Sequence, residues 1–204
     1  STLISQFNIT GQAQLGLGNS NNSFNYTEHR LGLNLDWNQW SGWLELEYAK
    51  PPELGRDFIG LRKFRLEYVN NNTTVKIGDL YEYWGRGLIL NMTDDQSIDL
   101  DNGITGGHYN WSNDMLGFEV LAGKQSVWML SNQAKNFNDR VPNYNIKNNI
   151  YGGRTLFYYE ALSGSLQLLK IVEDHFDPAL YTNKEIEHQL MGFDINYFGN
   201  FFDA

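Results

Sequence analysis

The stretch Leu44-Glu45-Leu46-Glu47-Tyr48 alternates apolar and charged residues with a period of two. Phe64-Arg65-Leu66-Glu67-Tyr68 repeats this pattern, and the stretch from Leu31 to Trp37 has a similar alternation. A period of two predicts β-strands with one apolar face and one polar face. Because the polar face carries full charges within the strand, we expect the apolar face to meet lipid and the polar face to line an interior, as in a transmembrane β-barrel.

Stretches of this kind follow one another along the whole chain, separated by turns rich in Asn, Gly and Ser. Strands are expected near residues 3–17, 26–38, 43–50, 58–69, 73–84, 103–111, 115–128, 150–162, 165–173 and 187–199. Short links such as Ser163-Gly164 predict antiparallel hairpins, and longer links such as 131–149 and 175–185 alternate with them. No segment of helical period intervenes, which disfavours a parallel βαβ fold. The predicted fold is therefore an all-β, antiparallel up-and-down transmembrane β-barrel, complete or partial.

Composition limits the classes of function. Apolar residues make up 41% of the 204 residues, which is enough for a folded core. The mean hydropathy is -0.48, and no apolar run approaches the ~20 residues of a membrane-spanning helix. The net charge of -9 argues against nucleic acid as a partner, and the lack of Cys excludes disulfides and thiolate sites. We expect residues 1–204 to form a single β-barrel domain or the N-terminal portion of a larger barrel.

The charged residues of the alternating strands are expected to form the wall of the lumen. If the third and fourth strands pair, acidic and basic side chains meet across the ladder. Such a wall would be polar and net acidic, and an open lumen of this kind would favour cations. The residues expected to line or constrict the lumen are Glu45, Glu47, Lys63, Arg65, Glu67, Glu82 and Arg86. Trp residues near strand ends, such as Trp37, Trp40 and Trp84, are expected to form aromatic girdles.

The alternation fails in the stretch from Val75 to Gly107. Val75 and Ile77 share one parity, and continuing it would place Asp79 against lipid. A charge in the hydrocarbon costs kilocalories, so we expect the strand to bulge, or to leave the lipid zone, near Gly78-Asp79. The segment near 78–107 is expected to be irregular and to fold across the mouth or into the lumen. Its carboxylates would then sit in water or pair with the wall; they belong to Asp94, Asp95, Asp99 and Asp101.

Two parts of this segment resemble a known family. The stretch from Gly78 to Leu88, GDLYEYWGRGL, resembles the G-(D/N)-x-Y-E-x-(F/W)-G-x-G-L signature of an uncharacterised outer-membrane β-barrel family of Bacteroidota. The stretch from Asp101 to Gly106, DNGITG, resembles that family's D-N-x-(I/L)-x-G element. The resemblance marks as structural residues Gly78, Asp79, Tyr81, Gly85, Gly87, Asp101, Asn102 and Gly106. It implies location in the bacterial outer membrane, a chain longer than this one, and no established activity.

The sequence offers little for catalysis or metal binding. The Asp residues of 94–101 do not fit the spacing of a calcium loop, and His29, His108, His175 and His188 lack the spacing of a helical zinc site. We therefore expect no catalytic residue, metal or cofactor. The predicted function is a non-catalytic pore, anchor or assembly component of the bacterial envelope, in contact with outer-membrane lipid and other envelope proteins. The alternative is a secreted β-sandwich that binds carbohydrate through exposed Trp and Tyr.

Overall fold

The alternating stretches build one large antiparallel sheet. A computed structural model of the chain describes residues 7–20, 24–51, 57–95, 100–129, 144–177 and 182–197. The ten strands of the sheet are Phe7–Ser20 (β1), Phe24–Trp37 (β2), Trp40–Ala49 (β3), Phe58–Asn70 (β4), Thr73–Leu80 (β5), Ile104–Ser112 (β10), Leu116–Met129 (β11), Tyr144–Tyr159 (β12), Leu162–Asp177 (β13) and Thr182–Tyr197 (β14). Four two-residue strands lie between β5 and β10: Tyr83–Trp84 (β6), Leu90–Asn91 (β7), Asp94–Asp95 (β8) and Leu100–Asp101 (β9).

The order of the ten strands in the sheet is their order along the chain, and each is antiparallel to its neighbours. The expected all-β, up-and-down antiparallel architecture is therefore confirmed. Within the described residues the sheet is not closed on itself, and β1 and β14 are its two edges. No helix among the described residues is long and apolar enough to cross a membrane.

Four tight links, all of them described, lie at one end of the sheet, which we call the turn end. They consist of residues 38–39, 71–72, 113–115 and 160–161. The expected turn at Ser163-Gly164 is wrong, because Gly164 lies inside β13, where a side chain would meet the Phe157 ring at 2.4 Å. The absence of a side chain thus serves close packing at Gly164, and the chain reverses at Glu160, whose φ is 50°. Residues 144–149, 175–177 and 182–185, expected to be loops, are also strand.

The two faces of the sheet differ in polarity. The described residues of the segment 81–103, which we call the inner segment, lie against one face, the inner face; the opposite face is the outer face. Charged side chains on the inner face are buried, with Lys63 2% and Glu119 5% exposed. Apolar side chains on the outer face are exposed, with Leu168 54% and Met191 73% exposed. The inner face thus buries charged side chains together with apolar ones such as Leu121 and Leu169, whereas large apolar side chains on the outer face are exposed.

The apolar region of the outer face ends at a row of polar residues. Asp79 pairs with Thr105 across the ladder, Thr105 with Lys124, and Lys124 with Asn149. The Asp79 side chain therefore keeps its outward parity, and β5 pairs with β10 without a bulge. The Asp79 carboxylate accepts hydrogen bonds from the Phe64 backbone N–H (2.7 Å) and the Thr105 hydroxyl (2.7 Å). Of the two outcomes expected near Gly78-Asp79, the bulge in β5 is wrong, and Asp79 lies at the polar border of the apolar region.

A row of glycines on the inner face lets neighbouring strands approach each other closely. Gly78 of β5 lies opposite Gly106 of β10, which lies opposite Gly123 of β11. A Cβ at Gly106 would lie 2.1 Å from the Ala122 carbonyl oxygen, and one at Gly78 would lie 2.2 Å from the Phe64 carbonyl oxygen. Gly78 also has a φ of 114°, which disfavours any other residue. Glycine is thus required here by the close approach of neighbouring strands.

The glycine row gives a testable prediction. Gly106→Ala should destabilise the fold by about 2–4 kcal/mol, because the new methyl group overlaps the backbone of β11. Gly107→Ala is the matched control, since a Cβ there meets only the Lys76 carbonyl oxygen, at 4.0 Å. Urea unfolding of the chain in detergent, followed by tryptophan fluorescence, measures both variants. Equal midpoints for the two variants would contradict the role assigned to the glycine row.

Candidate functional site

The inner segment is built from two short hairpins. β6 pairs with β7, and β8 pairs with β9. The turn between β6 and β7 has three successive residues with positive φ: Gly85 (60°), Arg86 (55°) and Gly87 (82°). Left-handed backbone costs most residues about 1–2 kcal/mol, and glycine adopts it freely. The two glycines of the W-G-R-G stretch therefore let the chain reverse tightly while Arg86 stays exposed.

The inner segment is fixed to the sheet by an apolar contact. Trp84 is fully buried, and a Cβ at Gly152 of β12 would lie 2.8 Å from its ring. Ile89 packs in the same way against Gly192 of β14, where a Cβ would lie 2.5 Å from Ile89 Cγ1. Missing side chains on two strands thus form sockets for two side chains of the inner segment. The buried cluster around these sockets comprises Leu80, Trp84, Leu90, Met92, Ile104, Leu121, Ile150 and Leu169.

The two stretches 78–88 and 101–106 contact each other. The Tyr81 hydroxyl donates a hydrogen bond to Asp101 Oδ1 (3.1 Å), and a Cβ at Gly103 would lie 2.5 Å from the Tyr81 ring. Burial raises the pKa of Tyr81, and the carboxylates of Asp101 and Asp94 raise it further. The phenol therefore remains a donor at any physiological pH. Gly78 also lies opposite Gly106, and the Thr105 hydroxyl donates a hydrogen bond to Asp79. The two stretches are therefore held side by side.

Asn102 joins the inner segment to itself and to the sheet. Its side chain accepts a hydrogen bond from the Thr93 backbone N–H and donates one to the Asn91 carbonyl (2.9 Å). Its backbone N–H donates to the Thr93 carbonyl (3.1 Å), and its carbonyl accepts from the Gln125 side chain. Both polar ends of the amide and both backbone groups are thus satisfied. An aspartate in place of Asn102 would lack the donor to Asn91.

A β-bulge brings two successive cations to the inner face. Glu45 of β3 lies opposite Lys63 and Leu46 lies opposite Leu61, so Arg62 is the extra residue of β4. Arg62 contacts Glu47 (Nη1–Oε2, 2.5 Å) and Glu45 (Nε–Oε1, 3.4 Å). Strict alternation had placed only Lys63 on this face, and it therefore missed Arg62.

The bulge leaves Lys63 to pair with the inner segment. Its ammonium group contacts both Asp94 and Asp101, the latter at 3.1 Å. It also lies 5.1 Å from the centre of the Tyr81 ring. Because Lys63 is only 2% exposed, its charge needs these partners. Asp94 and Asp101 thus pair with the sheet, and Asp99 lies outside the described residues.

A second polar network, which we call the Glu119 network, joins β5, β10, β11 and β12 to the inner segment. Arg154 donates two hydrogen bonds of 2.8 Å to the Glu119 carboxylate. His108 lies between two carboxylates, with Nε2 3.7 Å from Glu119 and Nδ1 3.8 Å from Glu82 of the inner segment. Lys76 Nζ contacts the same Glu82 oxygen at 2.8 Å. Glu82 is therefore the point at which this network holds the inner segment.

The structure brings together some of the residues expected to line a lumen and separates others. Glu45, Glu47, Lys63 and Glu82 belong to the two networks just described. Arg65 and Glu67 lie nearer the turn end, 3.7 Å apart (Nε–Oε2). Arg86 donates a hydrogen bond to Asn196 of β14 (2.9 Å) and lies in neither network.

Several central residues of the site were not identified from the sequence. They are Arg62, His108, Glu119, Arg154 and the socket glycines 152 and 192. The girdle position expected for Trp84 is wrong, because the ring is buried beneath Arg154, whose guanidinium lies 5.4 Å from the ring centre. In the described part of the chain, no group of three or more His, Asp or Glu side chains is placed to hold a metal ion.

Residues 9–162 of the chain match DUF6029, a family of unknown function. This match covers the first eight strands of the sheet, apart from the first two residues of β1, and the whole inner segment. No curated protein and no solved structure matches the chain.

Filling the Trp84 socket should loosen the inner segment. In Gly152→Val the new side chain occupies the space of the Trp84 ring, so the segment should leave the sheet more often. The chain has no Cys, so a Leu90→Cys reporter, buried in the parent (6% exposed), reports this opening through its rate of maleimide labelling. We expect a rise of at least tenfold, which corresponds to about 1.4 kcal/mol. Gly153→Val is the control, because a Cβ there makes only ordinary contacts, at 3.7 Å and beyond; equal rates would refute the socket.

Breaking the Glu119 network should lower the free energy of unfolding more than breaking an exposed ion pair does. Glu119→Gln removes the charge that Arg154 faces and should lower the free energy of unfolding by about 2–3 kcal/mol. Glu187→Gln removes the acidic partner of Lys170 in a pair whose side chains are 47% and 45% exposed, and it should leave the unfolding midpoint unchanged. Urea titration of both variants in the same detergent makes the comparison. Similar losses of unfolding free energy in the two variants would show that burial of the network adds nothing to stability.

Proposed function

The chain belongs to the DUF6029 family, and we propose that it forms the wall of an outer-membrane β-barrel whose lumen is filled by residues 81–103. In this proposal the protein is a non-catalytic anchor or assembly component of the bacterial envelope rather than an open pore. Its partners are outer-membrane lipid and other envelope proteins. The bacterial and envelope location rests on the signature described above, and the membrane orientation rests on the polarity of the two faces.

The exposed apolar outer face of the sheet is the observation that carries the proposal. Transfer of a leucine-sized side chain out of water is worth about 1.5–3 kcal/mol. The outer face leaves a whole surface of such side chains exposed, among them Leu166, Leu168, Met191, Phe193 and Ile195. Contact with acyl chains would recover this free energy, whereas water would not. On β12 the apolar region from Tyr159 to Tyr151 spans about nine residues, close to the length that a tilted strand needs to cross a bilayer.

The contacts that fix the inner segment to the inner face support an anchoring or assembly role. The buried cluster around Trp84 and the ion pairs of Lys63 and Glu82 fix the inner segment against the sheet. A wide water-filled passage through the barrel would require the inner segment to detach from the sheet. A secreted β-sandwich would need a second large sheet against the apolar face, and the described residues form one large sheet and two short hairpins.

The edges of the sheet set a further requirement. Unpaired backbone groups cost several kilocalories each in hydrocarbon, so β1 and β14 need strand partners within a bilayer. The proposal therefore requires further strands, from the same protein or from another chain, to complete the barrel.

A charge on the outer face distinguishes a membrane wall from a water-soluble sheet. Leu168→Arg places a cation at mid-height on β13 and should cost about 2–4 kcal/mol in a bilayer. In water the same substitution at this exposed position should be harmless. The full chain is reconstituted into phosphatidylcholine vesicles, and its folded fraction is read from heat-modifiable mobility on gels. We expect the parent to remain with the vesicles and the variant to fold poorly.

Leu88→Arg is the matched control, because Leu88 is 84% exposed on the inner segment and not on the outer face. This variant should fold and insert like the parent. If Leu168→Arg and Leu88→Arg behave alike, or if the parent stays in the aqueous phase without detergent, the membrane proposal fails.

A further inference from the structure

The inner face carries a concavity of about 360 Å³ near the turn end, on the strands β1 to β4. This volume lies within the usual range of small-ligand sites. Its lining includes Thr10, Asn34, Asp36, Ser41, Trp43 and Arg65, and none of its lining residues belongs to the inner segment. Thr10, Asn34, Trp43 and Arg65 lie directly opposite one another on successive strands. Regular pairing of four strands therefore fixes the positions of these side chains.

The polar side chains of the concavity have few partners within the described residues. In the two networks described above, by contrast, charges are paired, as Lys63 is with Asp101 and Arg154 is with Glu119. Among the described residues, the side chains of Asn34 and Asp36 have no hydrogen-bond or ion-pair partner. Arg65 has a single ionic contact there, to Glu67, at 3.7 Å. The polar groups that converge on this concavity therefore have capacity to bind a solute.

The types of side chain in the concavity define the chemistry of that solute. The half-buried indole of Trp43 offers a flat apolar face with partial negative charge, which suits the C–H groups of a sugar ring. Arg65 donates hydrogen bonds, Asp36 accepts them, and the Asn34 amide does both. A sugar hydroxyl is both donor and acceptor, so adjacent hydroxyls match such a mixture. We propose that this concavity binds a neutral sugar.

The charges of the concavity favour a neutral ligand over an anion. Arg65 is the only cation in its lining, the lining also contains the Asp36 carboxylate, and Glu67 lies 3.7 Å from Arg65. These two carboxylates offset the attraction of an anion to the guanidinium. This inference goes beyond the proposed function, because binding to a soluble sugar is measurable in detergent whether or not the chain spans a membrane.

Calorimetric titration of the full chain in detergent tests the inference. The probes are maltotriose, cellotriose and chitotriose, with inorganic phosphate and leucine as representatives of anions and zwitterions. We expect at least one trisaccharide to bind with a dissociation constant below about 1 mM, and Trp43→Ala to weaken it at least tenfold. Trp40→Ala is the control, because Trp40 lies on the outer face against Tyr68 and should leave the affinity unchanged.

A second variant, which should fold like the parent, keeps the test valid if Trp43→Ala misfolds. Asp36→Asn keeps the shape of an exposed side chain, so it should fold like the parent and weaken sugar binding about fivefold. Heat-modifiable mobility reports folding separately from binding, so a failure of the membrane proposal is distinguishable from a failure here. The inference is overturned if no trisaccharide binds the folded parent, if phosphate or leucine binds more tightly, or if Asp36→Asn and Trp40→Ala have equal affinities.

Discussion

The fold depends on the need to neutralise charged side chains that point toward the inner face. An uncompensated buried charge costs several kilocalories, so each strand that carries Glu, Lys or Arg inward requires partners there. Neighbouring strands supply some of them, as Arg154 does for Glu119. The inner segment supplies the rest, since Lys63 is paired by Asp94 and Asp101. The sheet and the inner segment therefore stabilise each other.

Glycine is the second requirement, and it acts by removing side chains where close contact is needed. The row of Gly78, Gly106 and Gly123 lets neighbouring strands approach each other closely. Gly152 and Gly192 leave the space into which the inner segment fits. These positions look alike in the sequence but serve different contacts. Only at Gly78, Gly85 and Gly87, among the glycines of the two signature elements, is a positive φ also required.

The alternation of residues was sufficient to find the ten strands, because hydrophobic periodicity is a local property of the chain. The bulge at Arg62 was not predictable in this way, since the two-residue period continues on either side of it. The turn at 160–161 was missed for a similar reason: Ser163-Gly164 has turn-forming residues, and only pairing with β12 shows that Gly164 is needed for packing against Phe157. The networks around Glu119 and Trp84 join residues far apart in sequence, which no local pattern reveals.

The distribution of charge bears on the choice between a pore and an anchor. A net charge of -9 predicted an acidic lumen that would favour cations. On the described inner face, however, Glu47, Glu82 and Glu119 each contact a basic side chain, as Asp94 and Asp101 contact Lys63. Paired charges project little field into the space they surround, because each cation cancels its neighbouring anion at a distance of a few ångströms. The excess negative charge of the chain therefore does not lie in these networks. If the sheet forms a barrel wall as proposed, an interior cross-linked in this way would resist opening and offer weak selectivity, which favours the proposed anchoring or assembly role over that of a cation channel.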